Sequence, residues 1–147
     1  MANQQGNFGF RPVLMLGSAY QGQGQQQMTI ASNETNSIFM GDPVVLNANG
    51  SISRGSAAGA ELVGVFNGCF YTDPTSQKPT FSNHYPGAIV ADDIVANVIS
   101  DPDVVFEVKC DDANAGRAQV GSTANIATYA AGSTKSGISG VSIDGST

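Results

Sequence analysis

Residues 61–71 read ELVGVFNGCFY, and this stretch decides the fold class. Its valines and aromatic residues are among the types that pack best on a pleated sheet. Gly64 and Gly68 interrupt the apolar run, and a glycine inside a strand pattern indicates a bulge or a close approach of another backbone. The stretch therefore predicts a buried strand that bends, as expected where a sheet curls toward a barrel.

Turn signals before this strand predict shorter strands. Residues 41–46, GDPVVL, place a turn ahead of a brief apolar run. Asn49-Gly50 then separates that run from Ile52. Because both Asn and Gly tolerate positive φ, this spacing predicts a β-hairpin.

The second half of the chain continues the strand pattern. Residues 104–111 alternate, with Phe106, Val108 and Cys110 on one face and charged side chains on the other, which predicts a half-exposed antiparallel strand. The remainder is rich in Gly, Ser, Ala and Thr and predicts thin strands and loops. Helical periodicity with caps is not convincing anywhere. The predicted fold is all-β, a small antiparallel β-barrel or β-sandwich with long loops and extended terminal arms.

The polarity of the chain divides it into two parts. Residues 1–27 form a polar N-terminal arm followed by a flexible loop, because 20–27 read YQGQGQQQ, a low-complexity run typical of a solvated loop. Residues 28–147 form the β-rich domain. Within it, residues 72–86 contain three prolines and no periodicity, which predicts a long surface loop.

The composition argues against several classes of protein. The 147 residues include only 12% charged side chains, with six Lys and Arg against twelve Asp and Glu, a formal net charge of −6. The chain therefore has no basic stripe with which to displace counterions from nucleic acid. No stretch is long and apolar enough to span a membrane, and the start lacks the pattern of a signal peptide, so we expect synthesis in the cytoplasm.

The residues available for catalysis or metal binding are few. His84 is the only possible imidazole base, and no nucleophile motif accompanies it, so no catalytic residue is predicted. The paired aspartates lie at strand ends and lack the spacing of a calcium loop, so we predict no metal and no cofactor. Cys69 and Cys110 are far apart in sequence and are interpreted as reduced thiols; a disulfide or a zinc site remains an alternative.

Four stretches in this order resemble a family of small virion proteins of tailed bacteriophages that decorate the capsid, also called cement proteins. They are NFGFRPVLMLGSA at 7–19, SIFMGDPVVLNANGSI at 37–52, LVGVFNGCFYTD at 62–73 and DPDVVFEVKCDD at 101–112. SIF-x-GDPV and DPDV-x-FEV are the most specific parts of the resemblance, which covers most of the chain.

The resemblance implies a structural role rather than an enzymatic one. A member of this family would sit on the outer face of a phage head, bind the major capsid protein and stabilise the mature shell by bridging its subunits. Self-association is also expected, since closed symmetry such as a trimer is the usual arrangement in assemblies of this kind. Nucleic acid and membrane are not expected partners.

Two segments are candidates for the contacts. Phe8, Phe10, Arg11 and Pro12 lie in the segment 6–16, and aromatic and Arg residues dominate the energetics of protein interfaces. The alternative is that Phe8 and Phe10 only close the core of this domain. Within the loop 72–86, the candidates for subunit or capsid contact are Phe81, His84 and Tyr85.

A different class of function stays open beside this one. A tail- or fibre-associated module that recognises host surface glycans or proteins could use aromatic loop residues such as Phe70 and Phe81. The lack of tryptophan disfavours this alternative. A small hydrolase is the third hypothesis, and it requires a catalytic base that the chain hardly offers.

Overall fold

A computed structural model describes residues 6–17, 24–55, 60–111 and 116–145, apart from the side chain of Thr128. The described chain is built from strands, with a single short 3₁₀ turn at Arg117–Gln119 among its named elements. The predicted all-β class is confirmed. The strands are β1 Arg11–Met15, β2 Gln25–Ile30, β3 Ile38–Phe39, β4 Pro43–Leu46, β5 Ser51–Arg54, β6 Leu62–Thr72, β7 Pro79–Ser82, β8 His84–Tyr85, β9 Val95–Ile99, β10 Val104–Glu107, β11 Asn125–Thr128 and β12 Ser142–Asp144.

Five strands close a small barrel. Their order is β4-β5-β2-β9-β6, and pairing between β4 and β6 completes the circle. All neighbours in the barrel are antiparallel except β2 and β5, which run parallel. Strand β7 extends β6 outside the barrel. Closure leaves no free edge among the five strands, which is how small β-domains avoid edge-to-edge aggregation.

The long strand β6 bends as the sequence predicts. Its pairing with β9 shifts register between Phe66 and Cys69, and its pairing with β4 shifts between Val44 and Val45. Gly68, with φ of 112°, lies within the first of these irregularities. At Gly64 a Cβ atom would lie 2.4 Å from the carbonyl oxygen of Ile99, so the close approach of β9 requires glycine there.

The core fills the barrel with residues from every barrel strand. Complete burial of each large apolar side chain contributes roughly 1.5–3 kcal/mol to stability. The fully buried members include Ile30, Val44, Ile52, Phe66 and Val98.

The predicted hairpin at Asn49-Gly50 is confirmed, although its turn differs from the one expected. Strands β4 and β5 pair antiparallel, and the amide of Gly50 donates to the carbonyl of Asn47 over 2.9 Å. Gly50 has a φ of 81°, whereas Asn49 keeps a negative φ. Residues 47–50 therefore form a four-residue connection that ends in a left-handed glycine.

Three sequence boundaries need correction. Strand β2 begins at Gln25, inside the segment expected to be a flexible loop, because backbone pairing with β9 does not require apolar side chains. Strand β10 ends at Glu107 rather than continuing to Asp111, since the chain there turns to pair with Ile143. The expected irregular loop 72–86 contains β7 and β8.

Among the described residues, three two-stranded sheets stand apart from the barrel strands, formed by β1 with β10, β3 with β8 and β11 with β12. Cys69 is buried as the sequence suggests, whereas Cys110 is only half-buried, and the two residues are not joined by a disulfide. Within the described ranges, no helix has the length and apolar character needed to cross a membrane.

Candidate functional site

Strands β1 and β10 form a two-stranded ribbon beside the barrel. Arg11 pairs with Glu107 and Met15 pairs with Val104, in antiparallel register. The register shifts between Pro12 and Leu14, so Val13 is the extra residue of a bulge. We call residues 11–15 and 104–107 together the ribbon. Among the strands that the structure describes, β1 pairs only with β10, which leaves its other edge without a β-sheet neighbour.

The segment before β1 fixes the ribbon to the barrel. The amide of Phe10 donates to the carbonyl of Gly41 over 2.9 Å, and the Asn7 side-chain amide donates to the carbonyl of Gly140 over 2.8 Å. Gly9 is buried between these two bonds. The described part of the predicted arm is therefore docked on its own domain; residues 1–5 lie outside the described residues.

The aromatic residues predicted as anchors make contacts within the chain. Phe8 and Phe10 are half-buried. The Phe10 ring meets Phe106 edge-on, with centroids 6.1 Å apart. The guanidinium of Arg11 lies 5.1 Å from the centroid of Phe8 and bonds the carboxylate of Glu107 over 2.5 Å. These contacts favour the alternative in which the two phenylalanines pack against their own domain, and they also hold the start of the ribbon in place.

A shallow cleft opens beside these residues. Its volume is about 270 Å³, and the four predicted contact residues line it, together with residues of β6 and of the segment around Gly41. The cleft thus brings together Phe8, Phe10, Arg11 and Pro12 at one surface. Whether a partner occupies this surface stays a prediction.

The most exposed apolar side chains of this region were not singled out by the sequence. Val13 is 55% exposed, Leu14 is 58% exposed and Leu16 is 60% exposed. We call these three residues the ribbon patch. Clustered exposed aliphatic residues on an edge strand mark an interaction surface or an aggregation hazard. The signal in the sequence was the abrupt apolar run after Pro12.

The three loop candidates have different environments. Phe81 lies on β7, is 82% exposed, and has its ring centroid 4.8 Å from that of Phe70. His84 is half-buried and stacks on Phe39, with centroids 5.6 Å apart and nearly parallel rings. Of the three, Phe81 is the one whose side chain is open to a partner.

Tyr85 has a structural role instead of a surface one. It is completely buried, which corrects the expectation that it contacts another molecule directly. Its hydroxyl donates to the carbonyl of Glu34 over 3.1 Å and accepts from the amide of Ile89 over 3.2 Å. Burial raises the pKa of this phenol above its usual value. Its ring packs in the core and its hydroxyl bonds the backbone at Glu34 and Ile89. Tyr85 therefore ties the two segments that contain these residues to the barrel.

Two aspartates near strand ends accept hydrogen bonds, one within a turn and one from a distant strand end. Asp101 accepts from the amide of Asp103 over 2.9 Å, as expected of a turn aspartate. Asp93 accepts from the amide and the hydroxyl of Thr72, and these hydrogen bonds lower the pKa of its carboxyl group. In the part of the chain that the structure describes, no group of three His, Cys, Asp or Glu residues is arranged to hold a metal ion.

This surface offers aliphatic and aromatic side chains with which a partner could make contact. Strand β1 and the residue after it expose three aliphatic side chains, and Pro12 of the same strand also lines the cleft. Comparisons with protein-family models, with curated proteins and with solved structures gave no match for this chain.

Proposed function

We propose that this chain is a structural virion protein that coats the outer surface of an icosahedral bacteriophage head. In this role it stabilises the mature shell by bridging neighbouring subunits of the major capsid protein. The ribbon patch is the observation that carries the proposal, because three aliphatic side chains more than half exposed within four consecutive residues are typical of an interaction surface. The resemblance of SIFMGDPV at 37–44 and DPDVVFEV at 101–108 to capsid decoration proteins supports the major capsid protein as the partner.

The packing beneath the ribbon supports a binding role. Phe10 packs on Phe106, and Arg11 bridges Phe8 and Glu107, so the ribbon is held before any partner arrives. A surface that is ordered in advance loses less conformational entropy on binding. Each bound copy at a concentration of 100 times Kd would stabilise the mature arrangement by about 2.7 kcal/mol. Repeated over a shell, this free energy opposes the outward pressure of packaged DNA.

A matched pair of variants tests the proposal. Leu14 and Leu46 are both 58% exposed and both lie on strands, but only Leu14 belongs to the ribbon patch. Leu14→Asp should weaken binding to purified phage heads that lack this protein by at least about tenfold, whereas Leu46→Asp should bind as the wild type does. Sedimentation of heads with the labelled protein measures both. Equal binding by the two variants would refute the ribbon patch as the contact, and failure of the wild type to bind any head would refute the function.

Phe81 favours a second candidate, a tail- or fibre-associated module that recognises host glycans. Its ring is 82% exposed and is supported from one side by Phe70, which leaves a face free for stacking on a sugar. Copy number distinguishes the two functions, since decoration requires hundreds of copies per particle and a tail module a dozen or fewer. Quantitative mass spectrometry of purified virions provides this number.

A further inference from the structure

The tip of the β4–β5 hairpin contains a pair of hydrogen bonds that converge on one side-chain amide. Asn49 Oδ1 accepts from the backbone amide of Ser51 over 3.1 Å and from the Ser51 hydroxyl over 2.7 Å. Asn49 and Gly50 are exposed, whereas Ser51 is only 5% exposed. Two donors from one buried residue thus converge on the oxygen of an exposed amide.

We propose that Asn49 is a site of spontaneous deamidation and that Ser51 supplies an oxyanion hole for the reaction. The backbone nitrogen of Gly50 loses its proton to solvent base and attacks Cγ of Asn49, forming an N–C bond. Negative charge then develops on Oδ1, where the two Ser51 donors stabilise it. A proton from solvent then transfers to the side-chain nitrogen of the tetrahedral intermediate, the Cγ–N bond to that nitrogen breaks, ammonia leaves, and a succinimide remains. Water opens this ring at either carbonyl and gives aspartate or isoaspartate.

The surroundings of Gly50 allow the attack. A Cβ atom built at Gly50 would have no neighbour within 4 Å, so no packed side chain or neighbouring strand obstructs movement of the backbone at this residue. The amide of Gly50 donates to the carbonyl of Asn47, and this hydrogen bond must open before the nitrogen attacks. Opening is inexpensive at an exposed hairpin tip, where few contacts restrain the backbone.

The chain provides its own comparison in a second Asn-Gly pair. Asn67 is half-buried and Gly68 is buried in the middle of the eleven-residue strand β6, which pairs with β9 on one side and β7 on the other. A Cβ atom at Gly68 would lie 3.1 Å from the carbonyl oxygen of Ser82. Ring closure at Asn67 requires backbone rotation, which the sheet opposes. The same dipeptide is therefore expected to react faster at Asn49-Gly50 than at Asn67-Gly68.

Peptide mapping by mass spectrometry of the full-length protein, incubated at mildly alkaline pH, tests this inference. In the native state Asn49 should convert at least about tenfold faster than Asn67, because the exposed hairpin tip can open whereas the paired strands around Asn67 hold its backbone. In denaturant both sites should convert at the same rate. Similar native rates at the two sites, or no conversion of Asn49, would overturn the proposal.

Variants at Ser51 test the oxyanion hole separately. Ser51→Ala should slow conversion of Asn49 by about tenfold, less than the loss seen when an enzyme loses such a donor. Ser51→Thr keeps both donors and should react at the wild-type rate, which covers the case in which the alanine variant folds poorly. Faster conversion in Ser51→Ala would mean that the donors protect the amide, and the proposed oxyanion hole would be wrong.

Discussion

The hydroxyl of Ser139 donates a hydrogen bond to Oδ1 of Asp42 over 2.5 Å and so joins residues 97 positions apart. Both residues are buried, and the second carboxylate oxygen accepts from the amide of Phe39 over 2.9 Å. The amide of Val141 donates in turn to the Ser139 hydroxyl over 3.1 Å. This buried carboxylate therefore fastens the segment that leads into β12 to the turn between β3 and β4.

The first prediction concerns the pH dependence of Asp42. Burial raises the pKa of its carboxyl group, although the hydrogen bonds from Ser139 and Phe39 and the charge of Arg54 oppose the shift. In the unfolded chain the pKa of Asp42 is near 3.8, so its carboxyl group loses its proton at a lower pH there than in the native protein. The contribution of Asp42 to the free energy of unfolding should fall as pH rises from below 3.8 through the raised native pKa.

Urea unfolding of wild type and Asp42→Asn across this pH range measures the effect. The free energy of unfolding of the wild type minus that of Asp42→Asn should decrease as pH rises. Asp42→Asn should also cost about 1–3 kcal/mol where the wild type is most stable, because one amide oxygen faces two donors. Asp93→Asn is the control of opposite sign: hydrogen bonds from Thr72 lower the pKa of Asp93, so its contribution is lost as pH falls. Slopes of the same sign for both variants would contradict the prediction.

The second prediction uses two glycines with positive φ. At Gly9, with φ of 68°, a Cβ atom would lie 2.5 Å from both the carbonyl oxygen of Gly41 and Cβ of Ser139. At Gly121, with φ of 87°, no atom lies within 4 Å. Gly121→Ala should cost about 1 kcal/mol from backbone strain alone, whereas Gly9→Ala should cost more than about 3 kcal/mol. Thermal unfolding measures both, and equal losses would show that residues 7–10 are not docked.

The fold was predictable where side-chain type decides the structure. Strand β6 and the β4–β5 hairpin follow from apolar runs and from glycines at positions with positive φ. The start of β2 at Gln25 was not predictable, because exposed glutamines pair through their backbone with β9 and carry no strand signal of their own. The parallel pairing of β2 with β5 joins distant segments and likewise leaves no local pattern.

The third prediction concerns the two thiols. Cys69 is 3% exposed, and burial raises its pKa to about 12, whereas Cys110 is half-buried. The thiolate is the reacting species, so native Cys69 should be inert toward alkylating reagents. Timed labelling followed by mass spectrometry should find the label on Cys110 first and on Cys69 only after unfolding. Early labelling of Cys69 would mean that the barrel opens locally.

The candidate site was predictable in position but not in detail. The apolar segment around Pro12 is visible in the sequence, and it does form the ribbon. The sequence does not say that Phe10 meets Phe106 or that Tyr85 bonds Glu34, because these partners are distant along the chain. The predicted contact residues Phe10 and Tyr85 therefore make contacts inside the protein, whereas Leu14, which was not predicted, is exposed.

The last prediction separates two roles of Arg11. Its side chain is 60% exposed and that of Glu107 is 50% exposed, so their ion pair contributes at most about 1 kcal/mol to stability. Arg11→Ala should therefore lower the free energy of unfolding by about 1 kcal/mol or less, including the loss of the contact with Phe8.

If Arg11 anchors the protein on a phage head, the same variant should weaken head binding by about tenfold or more. Arg117→Ala, at an exposed residue of the 3₁₀ turn, is the control and should bind as the wild type does. Wild-type binding by Arg11→Ala would assign Arg11 to the internal support of the ribbon alone, because its contacts with Phe8 and Glu107 would then account for all that it does.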